Sequence, residues 1–170
     1  MGSEPHLIKY QHYYLLEWHK NESDALSQMV YRLKSDNSKP AWIFYARIFY
    51  KILKDKIDFK NYEALIPVPS AKQSSVHSKI FAQELATLSG LPVLDILCKK
   101  AQSLEQKNLT AAERKQQATI GLKATGHEHI TKCIFVDDIV TTGESFLQCN
   151  MALNGGRQNP ILSLFYRSKT

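Results

Sequence analysis

Apolar and polar positions change their period twice along the chain. Lys9 to Glu17 is rich in Tyr and Leu and suits a short strand. From Asp24 to Lys34 the pattern turns helical. Leu26, Met29, Val30 and Leu33 fall at i, i+3, i+4 and i+7, one apolar face, with Ser23 as the N-cap. Asp36-Asn37-Ser38-Lys39-Pro40 breaks that helix. Ala41 to Lys54 predicts a second helix. Trp42, Tyr45, Phe49 and Leu53 form its stripe, widened by Ile48 and Ile52, with Ile43, Phe44 and Tyr50 on the other sides. A helix apolar nearly all round packs into a core or against a partner.

Beyond residue 60 short apolar runs alternate with helical ones. Ala64-Leu65-Ile66 runs into Pro67-Val68-Pro69, a strand ending in a stiff turn. Ser78 to Ser89 predicts a helix through Ile80, Phe81, Leu85 and Leu88, closed by Gly90. Leu91 to Leu97 holds a short strand, and the capping box Thr110 to Glu113 opens a polar helix to about Ala118. Cys133-Ile134-Phe135-Val136 reads as a strand buried on both faces. A helix from Thr142 or Gly143 to Leu153 and a final strand from Ile161 to Phe165 complete the pattern. This alternation argues an α/β fold, a mainly parallel sheet flanked by helices. Residues 1–60 are expected to form an N-terminal helical cap on a core of 61–170, one compact domain overall.

Composition narrows the function classes. With 170 residues, 44% hydrophobic and 22% charged, the chain is one globular domain and wholesale disorder is excluded. The net charge of +6 admits anionic partners such as nucleic acid or phosphates. Cys98, Cys133 and Cys149 form no CxxC pair and no disulfide framework, which points to a reducing compartment. No apolar run has transmembrane length and the N-terminus lacks a signal pattern, so a cytoplasmic protein without membrane association is expected.

The chemistry concentrates in Cys133-Ile-Phe-Val-Asp137-Asp138-Ile-Val-Thr141-Thr142-Gly143-Glu144-Ser145. In open α/β sheets ligands bind outside the carboxyl ends of the strands. A helix start offers free N–H groups and partial positive charge to a phosphate, and Gly143 lets the backbone come close. Thr141, Thr142 and Ser145 add hydroxyls. Two adjacent carboxylates would repel that phosphate unless they face a neutral polyol beside it. Phosphate on one side and a diol on the other describes a ribose 5-phosphate.

This run resembles the signature of type I phosphoribosyltransferases, which bind phosphoribosyl pyrophosphate (PRPP). A narrower resemblance is to the competence-associated ComF family. It is carried by Ile66-Pro67-Val68-Pro69, by Gln106, Leu109 and Arg114, and by the Asp-Asp-Ile-Val-Thr-Thr-Gly form of the signature. It spans roughly Ala64 to Phe165, with a weaker match from Met29 to Lys34. Two departures stand out: the four-cysteine zinc knuckle of many ComF proteins is lacking, and their Arg-Gly-Phe-Asn-Gln run is replaced by His77-Ser78-Lys79-Ile80-Phe81.

The resemblance implies a type I phosphoribosyltransferase-like core and the following roles. Asp137 and Asp138 hold the ribose hydroxyls. Thr141, Thr142, Gly143, Glu144 and Ser145 cradle the 5-phosphate. Ser70, Ala71 and Lys72 form the pyrophosphate loop, and Mg²⁺ arrives bound through PRPP. Thr141 stands where purine-salvage relatives carry an acid that can act on the base, so no catalytic residue and no particular nucleobase or amine acceptor is assigned. The alternative is a non-catalytic ComF-like binding module acting in DNA uptake, for which single-stranded DNA is a candidate partner. Trp42 to Leu53 is a candidate homodimer face.

Other features carry blander readings. Tyr13, Tyr14, Trp18 and Trp42 could stack on a base, but such aromatics more often build a core. His127-Glu128-His129 reads as solvated surface rather than a metal clip. Lys99, Lys100, Lys107, Arg114 and Lys115 read as a solvated face before a nucleic-acid site. Cys133 and Cys149 read as inert core residues.

Overall fold

Apolar runs become the strands of a parallel sheet, and the periodic segments become helices against its two faces. The computed structural model describes residues 10–19, 25–35, 39–70, 77–99, 120–123, 129–153 and 159–167. Its elements in chain order are β1 (His12–Trp18), α1 (Ala25–Ser35), α2 (Lys39–Leu53), β2 (Ala64–Pro67), α3 (His77–Ser89), β3 (Leu97–Lys99), β4 (Ile120–Leu122), β5 (Cys133–Val140), α4 (Glu144–Ala152) and β6 (Ile161–Arg167).

The main sheet has the order β1-β6-β5-β2, with every pairing parallel. A parallel bridge from Leu65 to Val93 adds a short contact to β2. β3 and β4 form a separate antiparallel pair. β5 lies inside the sheet, and Cys133 to Val136 are fully buried, as a parallel strand covered on both faces requires.

Each face has its own core. On one, Trp42, Phe49 and Leu53 of α2 and Phe81 and Leu85 of α3 pack against Leu65, Ile134, Val136, Leu162 and Leu164. On the other, Phe146, Cys149 and Leu153 pack with Ala64, Ile66, Phe135 and Ile161. Alternation along β5 sends Cys133 and Phe135 to one core and Ile134 and Val136 to the other.

The segment before residue 60 supplies more than helices. The short strand expected in Lys9 to Glu17 forms as β1 and lies at the sheet edge, paired with β6 from His12↔Ile161 to Trp18↔Arg167. α2 lies beside α3, with Phe49 and Phe81 rings 6.1 Å apart and Arg47 Nε donating to Glu84 Oε1 at 2.7 Å. α2 starts at Lys39, two residues earlier than expected. Pro40 fits its first turn, where a missing N–H costs no helical bond. The expected stripe is spent on the core; Phe44 and Ile52 are the large apolar residues that α2 leaves exposed.

α1 and α3 form within a residue of the expected bounds, and Gly90, with φ 79°, ends α3. The capping-box helix at Thr110 to Ala118 lies outside the described residues. Among the described residues no helix is long and apolar enough to cross a membrane.

Candidate functional site

β5 runs four residues past its apolar stretch because its ladder with β6 continues through Asp137↔Ser163, Ile139↔Phe165 and Val140↔Tyr166. Asp137 and Asp138 are therefore strand residues, not loop residues. That places their side chains on opposite faces of the sheet.

Asp137 faces α4. It lines a hollow of about 50 Å³ together with Ile139 to Phe146 and Ile161. Its negative charge, after burial, helps to push up the thiol of Cys149 in α4. Asp137 Oδ1 accepts the Asp138 backbone N–H at 2.8 Å, which holds the carboxylate against its own strand. The hollow brings together Asp137, Thr141, Thr142, Gly143, Glu144 and Ser145, six of the residues singled out in the sequence.

Gly143 is the N-cap of α4 and has φ 73° and ψ 6°. The left-handed region is costly for any residue with a Cβ, so glycine is required for a turn this tight. The first intrahelical bond runs from Leu147 N to Gly143 O at 2.9 Å. The amides of residues 144–146 thus precede the helical ladder, at the positive end of the helix. Thr142 Oγ1 accepts the Glu144 N–H at 3.4 Å. Gln148 Nε2 donates to Glu144 Oε1 at 3.2 Å, drawing that carboxylate along the helix rather than across its end.

α4 is tied to β5 by a buried amide relay. Asn159 Oδ1 accepts the Cys133 N–H at 3.1 Å, and its Nδ2 donates to Asn150 Oδ1 at 3.2 Å. The relay joins the start of β5 to the last turn of α4, at the ends of both elements opposite the turn.

Asp138 does not line the hollow. Its side chain is 14% exposed and faces His77, the first residue of α3, with Oδ2 3.7 Å from Nδ1. His77 stacks on Trp42, ring centroids 5.0 Å apart at 15°. The sequence pattern did not single out His77 as functional, because its partners Trp42 and Asp138 are distant in sequence.

Ser70 is exposed beyond the end of β2, on the same sheet edge as the acidic pair. Ala71 and Lys72 lie outside the described residues, as do His127, Glu128, Lys100, Lys107, Arg114 and Lys115. Trp18 and Trp42 are buried and belong to the core, with Trp18 Nε1 donating to Ser27 Oγ at 2.8 Å and Trp42 Nε1 to Leu33 O at 3.2 Å. Tyr14 is exposed on β1. Burial pushes the Cys133 thiol up to about 12, which leaves it unreactive at neutral pH.

Several solved structures resemble the chain. One is an asparagine mutant at an invariant aspartic acid of HPRT, 17% identical, with a TM-score of 0.44 over 77% of this chain and 65% of that one. Another is the Trypanosoma cruzi hypoxanthine phosphoribosyl transferase, 18% identical, with a TM-score of 0.42 over 77% and 64%. The chain spans just under two thirds of the length of each of these two. No family model matches the sequence, and no curated protein matches it.

Proposed function

We propose that the chain binds PRPP, as its Mg²⁺ complex, at the carboxyl edge of β5 and transfers its phosphoribosyl group to an acceptor with release of pyrophosphate. The observation that carries this reading is Gly143 in the left-handed conformation, closing a tight turn between an acidic strand end and the start of α4. The phosphate would take the hollow beside residues 141–145, and Asp137 would accept hydrogen bonds from the ribose hydroxyls at its border. Ser70 and the residues after it would meet the pyrophosphate.

Among the described residues no group of three or more His, Cys, Asp or Glu side chains converges on a metal site. Mg²⁺ would enter as part of the substrate, neutralising the leaving pyrophosphate. In the transfer, the bond from ribose C1 to the pyrophosphate oxygen breaks and its electron pair leaves with that oxygen. A bond from C1 to the acceptor nitrogen forms on the opposite face, and the acceptor releases its proton. Cationic character develops at C1, so holding the ribose and stabilising the leaving group are the main tasks.

A second reading, binding without turnover, is favoured by Thr141. This exposed hydroxyl at the end of β5 cannot exchange protons with an acceptor at neutral pH. In that reading the chain is a ComF-like module in DNA uptake, and its +6 charge would attract single-stranded DNA.

Calorimetric titration of PRPP with Mg²⁺, and separately of ribose 5-phosphate, tests the site. The double variant Asp137→Ala, Asp138→Ala should lose binding while keeping its circular dichroism. Unchanged affinity in that variant rejects the reading. Pyrophosphate release with nucleobases or small amines then separates turnover from binding alone.

A further inference from the structure

The acidic pair is not symmetric. Asp137 serves the hollow on the α4 side, whereas Asp138 is turned to the α3 side. There it meets an imidazole that several elements hold in place. His77 is 4% exposed, and Trp42 of α2 is stacked flat against its ring. Trp42 is fully buried and fixed by its own bond to Leu33 O. The neighbouring Ser78 donates its hydroxyl to Val68 O at 3.2 Å, which pins the start of α3 to the turn after β2. Val68 N in turn bonds Val136 O, one residue before Asp137. The helix start, the turn and the acidic strand end are thus one connected frame.

We propose that His77 is a positioning residue for the acidic pair: its Nδ1–H holds the Asp138 carboxylate turned away from the hollow, leaving Asp137 to face the phosphate side alone. This rests on the reading of Asp137 and Asp138 as the groups that face the ribose. The facing atoms, His77 Nδ1 and Asp138 Oδ2, are both shielded from solvent. Their 3.7 Å separation is longer than a hydrogen bond, yet close enough for the charge to be felt in a poorly solvated site. Contacts of this length in a binding site tighten when a ligand draws the groups into register. Two carboxylates on adjacent residues repel each other, and a donor beside one of them offsets that repulsion. The two carboxylates then hold different hydroxyls of one diol from the two faces of the strand. Trp42 sets the plane of the imidazole, so an aromatic of the N-terminal segment reaches the site through His77 without touching the ligand.

The proposal has one test independent of any ligand. Nitrogen-15 resonances of the His77 ring report which nitrogen carries the proton. A ring protonated at Nδ1, shifting toward the other tautomer in Asp138→Asn, is expected. An Nε2–H ring indifferent to Asp138→Asn overturns the proposal. The second test uses ribose 5-phosphate and Mg²⁺-PRPP as probes. His77→Phe keeps a ring to stack on Trp42 but removes the donor, and should weaken binding by about tenfold with little change in melting temperature. His77→Asn, whose amide nitrogen falls near Nδ1, should recover most of that loss. Wild-type affinity in His77→Phe shows a purely structural histidine and overturns the proposal. If the wild-type protein binds neither probe, the phosphoribosyl reading fails, and the ring resonances by themselves decide for or against the His77–Asp138 contact.

Discussion

His12 shows how a single side chain can make the stability of this protein depend on pH. It sits on β1 with its Nε2 2.9 Å from Ser163 Oγ. Ser163 Oγ in turn lies 3.0 Å from Phe165 O and donates to it. With the hydroxyl proton committed, the imidazole must be the donor at Nε2, so Ser163 is not an activated nucleophile despite its histidine neighbour. Burial lowers the His12 pKa from 6.5 to about 4. The folded protein therefore keeps His12 neutral at pH values where the unfolded chain takes up a proton. Its contribution is complete above pH 6.5 and is lost as pH falls toward 4, by on the order of 2–3 kcal/mol. Urea unfolding at pH 7 and pH 4 should show that loss in the wild-type protein. The loss should shrink in His12→Gln, which cannot titrate. An equal acid sensitivity in both would place the sensitivity elsewhere.

At the scale of elements, α4 depends on how its first turn is made. Gly143 and Gly90 share a positive φ, 73° and 79°, and each stands at a helix end. A Cβ on Gly90 would meet nothing within 4 Å, so Gly90→Ala isolates the backbone penalty, about 1–2 kcal/mol. Gly143→Ala should carry a similar penalty and also weaken binding of ribose 5-phosphate, because its Cβ enters the turn that borders the hollow. Thermal melts and calorimetry on both variants separate the effects; equal affinity in the two would detach the turn from ligand binding. The same elements show what periodicity makes legible. The runs of α1, α2 and α3 stand out because a burying helix repeats its apolar positions. β4, Ile120-Gly121-Leu122, does not, since three residues carry no period and gain their order from pairing with β3. Asp137, Asp138 and residues 141–145 are legible as a cluster because they are contiguous. The division of the two carboxylates between faces is not, because it depends on β5 continuing past its apolar run. His77 escapes for a related reason: its meaning comes from Trp42 and Asp138, far away in sequence.

At the scale of the whole molecule, the two ends of the described chain meet in one strand pair. β1 and β6 are joined in parallel over seven residues, with partners such as His12 and Ile161 about 150 positions apart in sequence. Such a contact brings no local advantage and forms only once the rest of the sheet offers an edge. Its contribution is nonetheless large. Trp18 is 4% exposed, packed with Tyr31 and covered by the Arg167 guanidinium at 5.8 Å. Leu15 and Leu16 pack on the same core as α2. Burying a side chain of this kind contributes about 1.5–3 kcal/mol, and a domain retains only about 5–15 kcal/mol in all. Deleting residues 1–19 removes three such side chains and exposes the β6 ladder, so most of the net stability should go with them. The truncated protein is expected to lose cooperative urea unfolding, and its newly opened edge should promote self-association. The sedimentation profile and the unfolding curve of the truncated chain test this together. A monomer with the wild-type midpoint would mean that the sheet ends at β6, and that the N-terminal segment neither completes the core nor supports the Trp42–His77 contact beside the acidic pair.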